Sequence, residues 1–117
     1  MKPLVFRTRS LALPLHFVYT IWVEISFDAG KSERNAAERG LPFDLAAEFD
    51  FEAALIWQDV RRDYGEVRYV AIGPLGERLH VMCFVQTDDG IRVISLRKAN
   101  DREVKRYDRE RAPSSPE

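Results

Sequence analysis

Six ionisable side chains fall in or beside β-branched and aromatic runs in the second half of the chain: Glu66, Arg68, Arg92, Arg97, Lys98 and, on the segment that follows, Tyr107. In an extended strand side chains two apart share a face, so Glu66 and Arg68 point the same way, as do Val93, Ser95 and Arg97. A carboxylate beside guanidiniums suits chemistry at a phosphodiester. The guanidiniums grip phosphate oxygens through paired N–H donors, and the carboxylate accepts a proton.

Composition alone favours a plainer account, in which Glu66 and Arg68 form an exposed ion pair and residues 98–111 a solvated helix face. Trp57 and Tyr64 have faces that could stack bases, but an aromatic beside Ile56 in a strand reads first as core. Tyr107 likewise reads as packing, His80 as part of a strand, Cys83 between Met82 and Phe84 as core, and Glu103 as a helix-start residue. There is no P-loop, no Gly-x-Ser-x-Gly elbow, no dinucleotide fingerprint and no metal-ligand cluster. With one cysteine, Cys83, and two histidines, His16 and His80, the chain has no internal disulfide and too few ligands for zinc. The expectation is a cytoplasmic protein without metal or cofactor.

The elements that must position these side chains can be read from period and punctuation. Residues 22–27 alternate loosely around Trp22, Ile25 and Phe27 and end at Asp28, a strand leading into a helix N-cap. The helix is expected over residues 29–39, stopped by Gly40 and then Pro42. Phe43 before Asp44 predicts a second helix over residues 45–51, with Leu45, Ala46 and Phe49 on its buried face. Runs at 54–57, 67–73, 79–86 and 91–97 are separated by Tyr64-Gly65, by residues 73–76 and by Asp88-Asp89-Gly90, which predicts three or four antiparallel strands in a meander. Asn100 and Glu103 have capping-box spacing, and Val104 with Tyr107 gives the buried pair of a last helix. The order implies an α+β domain.

At 117 residues there is room for one domain. A 45% hydrophobic and 32% charged composition excludes a membrane protein and a wholly disordered one. The net charge of −1 hides segregation: residues 33–59 carry two basic and seven acidic side chains, and residues 91–111 carry eight basic and four acidic. The total by itself gives no support for a nucleic-acid partner, which usually needs a basic surface. Residues 1–21 place Lys2, Arg7 and Arg9 ahead of an apolar run, an order that imitates a signal peptide. Pro14 and His16 interrupt the run and no small-x-small site follows, so these residues read as an extension, in keeping with a misassigned start. The domain is expected over 22–111, and 112–117 as a disordered tail.

Three blocks carry a resemblance. Residues 27–43 place a Lys three after the Asp that ends a strand, and an Asn four later (Asp28, Lys31, Asn35). Gly65-Glu66-Val67-Arg68-Tyr69-Val70-Ala71-Ile72-Gly73 matches the pattern G-E-x-R-x-x-A-I-G. Arg92-Val93-Ile94-Ser95-Leu96-Arg97-Lys98-Ala99, followed by Glu103 and Tyr107, matches R-I-I-S-A-R-K-A and E-x-x-x-Y. In this order and spacing, the chain resembles the BrnT family of type II toxins.

The resemblance implies a ribonuclease toxin of RelE-like microbial RNase fold, a small antiparallel sheet with two N-terminal helices and one C-terminal helix. It implies a cognate ribbon-helix-helix antitoxin, contact with operator DNA only through that antitoxin, and a dimer or a heterotetramer with it. Carried over by position, Lys31, Glu66, Arg68, Arg97 and Tyr107 are the catalytic candidates, with Ser95 and Lys98 as supporting, RNA-binding members; Arg39 and Arg92 are further RNA-binding candidates because an arginine can hold a phosphate. Glu66 would take the ribose 2′-hydroxyl proton, Arg68 and Arg97 would stabilise phosphorane charge, and Lys31 or Tyr107 would position the backbone or protonate the leaving oxygen. The chain departs from the family where Lys-His-Gly is replaced by Glu38-Arg39-Gly40. That departure supports an alternative: a catalytically decayed toxin acting as an antitoxin-binding co-repressor. A plain RNA-binding domain ranks last.

Overall fold

The computed structural model describes the backbone of residues 4–12 and 18–111, and side chains from Glu24 to Arg111. The expected tail, and parts of the expected N-terminal extension, lie outside these residues. Among the described residues six strands form one sheet: β1 (Leu4–Ala12), β2 (Val18–Phe27), β3 (Leu55–Asp59), β4 (Arg68–Leu75), β5 (Arg78–Gln86) and β6 (Gly90–Lys98), in the spatial order β1-β2-β6-β5-β4-β3. β3 to β6 make the expected antiparallel meander, each strand pairing with the next. β2 joins β6 in parallel, so the sheet is mixed rather than purely antiparallel. Parallel pairing follows from the connection, because the chain leaves β2 through a helix and returns to its flank only after the whole meander. β2 begins four residues earlier than expected, and β1, which sequence patterning did not anticipate as a strand, pairs with it antiparallel. Gly90 is required at the β2–β6 junction, where a Cβ would collide with the Glu24 backbone.

Helix α1 (Ala29–Arg39) forms where expected. The Asp28 carboxylate accepts the Lys31 backbone N–H at 3.0 Å, and Gly40 ends the helix in the left-handed region at φ 70°, its N–H bonding Ala36 O. The expected second helix over 45–51 is instead a 3-10 helix, Phe43–Glu48, without a side-chain cap. Phe43, Ala46 and Phe49 are each almost fully buried. Their spacing of three matches three residues per turn, so burial selects the tighter helix. Helix α2 (Asp101–Arg111) starts on the expected capping box: Asn100 Oδ1 accepts the Glu103 N–H and Glu103 Oε1 accepts the Asn100 N–H, both at 2.9 Å. Among the described residues no helix is long and apolar enough to cross a membrane.

The sheet buries both faces. Ile25, Ala71, Met82, Phe84, Ile91, Val93 and Leu96 meet Leu41, Phe43, Ala46 and Phe49 in the larger core. Val70, Ile72, Val81 and Ala99 point the other way, against Val104 and Tyr107 of α2, with Trp57, Leu79 and Cys83 beside them. Asn35 ties α1 to the sheet, its amide nitrogen donating to Leu41 O (2.7 Å) and Leu96 O (2.8 Å). Cys83 stands opposite Ser95 but Phe84 stands opposite Val93, leaving Ile94 as an unpaired bulge residue. Val93 and Leu96 therefore share the larger core although three apart. This corrects the expectation that Val93 shares a face with Ser95 and Arg97: the bulge turns Ser95 to the side of Cys83, toward α2.

Candidate active site

Arg68 opens β4 and Arg92 lies in β6, with Val85 of β5 opposite Arg92 and between the two strands. Glu66, just before β4, reaches both. Its Oε2 accepts from Arg68 Nε at 3.1 Å, and its Oε1 accepts from Arg92 Nη2 at 2.7 Å. All three side chains remain more than a quarter exposed, so the cluster is open to a ligand. The Arg92 hydrogen bond is the largest influence and holds the Glu66 carboxyl below its ordinary range; burial opposes it, and the Arg68 hydrogen bond adds to the lowering. At neutral pH this carboxylate is ionised and is a weak base. A phosphate that drew both guanidiniums toward itself would strengthen it.

Arg97 makes a second, separate cluster. Its Nη1 and Nη2 donate to Glu103 Oε1 and Oε2 at 2.8 and 2.7 Å, a two-pronged pair. The hydrogen bond from Arg97 lowers the Glu103 carboxyl and raises the Arg97 guanidinium, in each case more than burial opposes it. Glu103 thus serves the helix start, as expected, and also holds Arg97. Arg92 faces Val85 and Arg97 faces Val81, four register positions and about 13 Å along the strand at roughly 3.3 Å per residue. Arg68 and Arg97, which the resemblance put on one phosphorane, therefore bind different carboxylates in separate clusters.

The remaining candidates are dispersed. Lys31 is exposed in the first turn of α1, and its backbone amide rather than its ammonium takes part in the cap. Arg39, at the end of α1, donates to Asn35 Oδ1 at 3.0 Å. Among the described residues no hydrogen bond or ion pair joins either side chain to the Glu66 cluster. Ser95 is half-buried opposite Cys83, and exposed Lys98 lies opposite His80. The Tyr107 hydroxyl donates to Ala53 O at 2.7 Å while its ring packs in the smaller core. Trp57 is also packed there, with the Arg106 guanidinium 4.0 Å over its ring.

Sequence patterning missed the loop between β3 and β4. Asp59, a buried carboxylate at the end of β3, accepts from Arg61 Nε (2.8 Å), Arg61 Nη2 (2.7 Å) and the Tyr64 hydroxyl (2.9 Å). These bonds, the Arg61 one largest, push the Asp59 carboxyl far down. The Tyr64 ring in turn lies 4.3 Å from the Arg68 guanidinium carbon. A signal was available: an acidic residue at the apolar end of a strand, two positions before an arginine. An open cleft of about 450 Å³, lined by Val67, Tyr69, Val85, Gln86, Thr87 and Asp88, lies at the same end of the sheet.

The geometry, then, is that of a carboxylate held between guanidiniums on an accessible sheet face, with a further guanidinium along the same strand. A family model described as the ribonuclease toxin BrnT of type II toxin–antitoxin systems matches residues 27–103. No curated protein and no solved structure matches the chain. The family match runs from the end of β2 to the first turn of α2 and takes in Lys31, Glu66, Arg68, Arg92 and Arg97, leaving Tyr107 outside. As the match spans well over half of its length, the chain belongs to the BrnT family of ribonuclease toxins of type II toxin–antitoxin systems.

Proposed function

We propose that this toxin is an endoribonuclease that cleaves RNA without a metal ion, with Glu66, Arg68 and Arg92 as its reacting centre. The observation that carries this is the Glu66 carboxylate bridging Arg68 and Arg92 on a partly open face. Glu66 takes the proton of the ribose 2′-hydroxyl, the 2′-oxygen attacks the adjacent phosphorus, and the bond to the 5′-oxygen breaks. The products are a 2′,3′-cyclic phosphate and a 5′-hydroxyl, the leaving oxygen taking a proton from Lys31, Tyr107 or solvent. Tyr107 can take part only by giving up its bond to Ala53 O. Arg68 and Arg92 stabilise the charge that develops on phosphorus, while Arg97, farther along β6, holds a neighbouring phosphate with Ser95 on the same face, and Lys98, on the opposite face at the strand end, contacts RNA outside that pair.

In this reading the sheet and its helices correspond to a RelE-like microbial RNase fold, and cleavage in the cytoplasm stops translation and growth. A type II toxin has an antitoxin partner. We infer a ribbon-helix-helix antitoxin that covers the basic face and brings operator DNA to the complex, as a heterotetramer of two dimers. Purified toxin with labelled RNA and EDTA tests the chemistry: Glu66→Gln should slow cleavage about a hundredfold or more, and an unchanged rate overturns the assignment. The alternative, a decayed toxin that acts only as an antitoxin-binding co-repressor, draws on Arg39, which stands in place of the family histidine and is bonded to Asn35. Intact bulk RNA after induction of the wild-type chain, with antitoxin binding retained, would favour it.

A further inference from the structure

We propose that Tyr64, anchored on the buried carboxylate of Asp59, is the positioning residue for Arg68. The inference rests on the catalytic reading of Glu66, Arg68 and Arg92. The contacts form a chain across the β3–β4 loop. The Asp59 side chain is only 4% exposed and also accepts the Arg61 backbone N–H at 3.1 Å. Arg61 alone would neutralise this anion, so the fourth hydrogen bond, from the Tyr64 hydroxyl at 2.9 Å, adds orientation rather than charge balance. It fixes where the Tyr64 ring stands.

The Arg68 guanidinium lies over that ring at 4.3 Å, and its Nε donates to Glu66. Stacking engages the flat face of a guanidinium and leaves its N–H edge free for Glu66 and for a phosphate. Without the ring, a long and flexible side chain must find one geometry in each encounter with substrate. Tyr64 touches no reacting atom; it acts through Arg68.

The test uses the purified full chain in single-turnover cleavage of a labelled RNA, with Tyr64→Leu, Tyr64→Phe and Tyr64→Trp made in the wild-type and Arg68→Ala backgrounds. With Arg68 present, Tyr64→Leu should lower kcat/KM about tenfold, Tyr64→Trp should restore most of the loss, and Tyr64→Phe should fall between. With Arg68 replaced, Tyr64→Leu should cost nothing further. The Arg68 Nε–H NMR signal should carry a ring-current shift that Tyr64→Leu abolishes and Tyr64→Trp keeps, an observation independent of activity. Equal fractional losses in both backgrounds would make Tyr64 a plain loop staple and overturn the proposal. So would a fully active Tyr64→Leu beside an inactive Arg68→Ala, a result that spares the catalytic reading. A fully active Arg68→Ala would refute the catalytic reading and this proposal together.

Discussion

Replacing Arg92 by alanine should separate the chemistry of this toxin from its stability. Arg92 Nη2 lies 2.7 Å from Glu66 Oε1, and both side chains are a little over a quarter exposed. Ion pairs so open to water contribute little to folding, so the unfolding midpoint of Arg92→Ala should fall by no more than about 5 °C. Cleavage should respond far more, because losing one preorganised charge-stabilising donor raises the barrier by about 3 kcal/mol, roughly a hundredfold in kcat/KM. A second signature follows from the carboxylate. Arg92 is the main cause of the low Glu66 carboxyl, and its loss lets that group rise toward 4.5, the ordinary value. Protonated Glu66 cannot act as base, so activity falls below the pKa of the group, and a higher pKa starts that fall at higher pH. Single-turnover cleavage between pH 4 and pH 8, beside thermal unfolding, measures both effects. A variant within about threefold of wild type, or one whose acid limb does not move upward, would refute the reasoning.

Two further predictions concern the scaffold. Asn35→Ala leaves Leu41 O and Leu96 O without their buried donor, and chemical denaturation should register a loss of about 2 kcal/mol. A loss under about 0.5 kcal/mol would mean that α1 is tied to β6 by packing alone. The Arg97–Glu103 pair should make stability depend on pH. Because the Glu103 carboxyl is lower in the folded chain than its ordinary 4.5, the pair stabilises above that pH and the contribution fades as pH falls toward the folded value. Glu103→Gln keeps an oxygen for the helix cap but not the charge. Its melting temperature should lie below that of wild type at pH 7, and the gap should close on acidification below about pH 4.5. A gap that is constant with pH would assign the effect to the cap.

The two arginine clusters also bear on inhibition. Glu66 already occupies the guanidiniums of Arg68 and Arg92, and Glu103 occupies that of Arg97. Each guanidinium is paired with an internal carboxylate, which on the proposed function an RNA phosphate, or an acidic side chain of the antitoxin, would share or displace. Such exchange costs less than ordering a free arginine, since the fork is already oriented.

Much of this protein was legible along the chain because it rests on short-range physics. Asp28 and Gly40 bound α1, and Asn100 with Glu103 starts α2, since caps act within one helical turn. The strand runs of the meander follow from a period of two and from turn residues between them. Residue type and strand position marked Glu66, Arg68, Arg92, Arg97 and Lys98 as able to handle a phosphate, beside the plainer reading of exposed ion pairs, and the resemblance to BrnT toxins rested on the same segments. Tertiary structure alone decided which of these side chains meet. Strand order sets Arg92 beside Glu66 across 26 residues of chain. The bulge at Ile94 turns Val93 away from Ser95 and Arg97, and the turn into α2 carries Arg97 to Glu103. The 3-10 helix replaced the expected α-helix because aromatic burial outweighed local preference. Caps and periods are set by neighbours within a few residues, whereas partners across a sheet are set by register. Register is fixed only when the strands have paired and the core has closed over them.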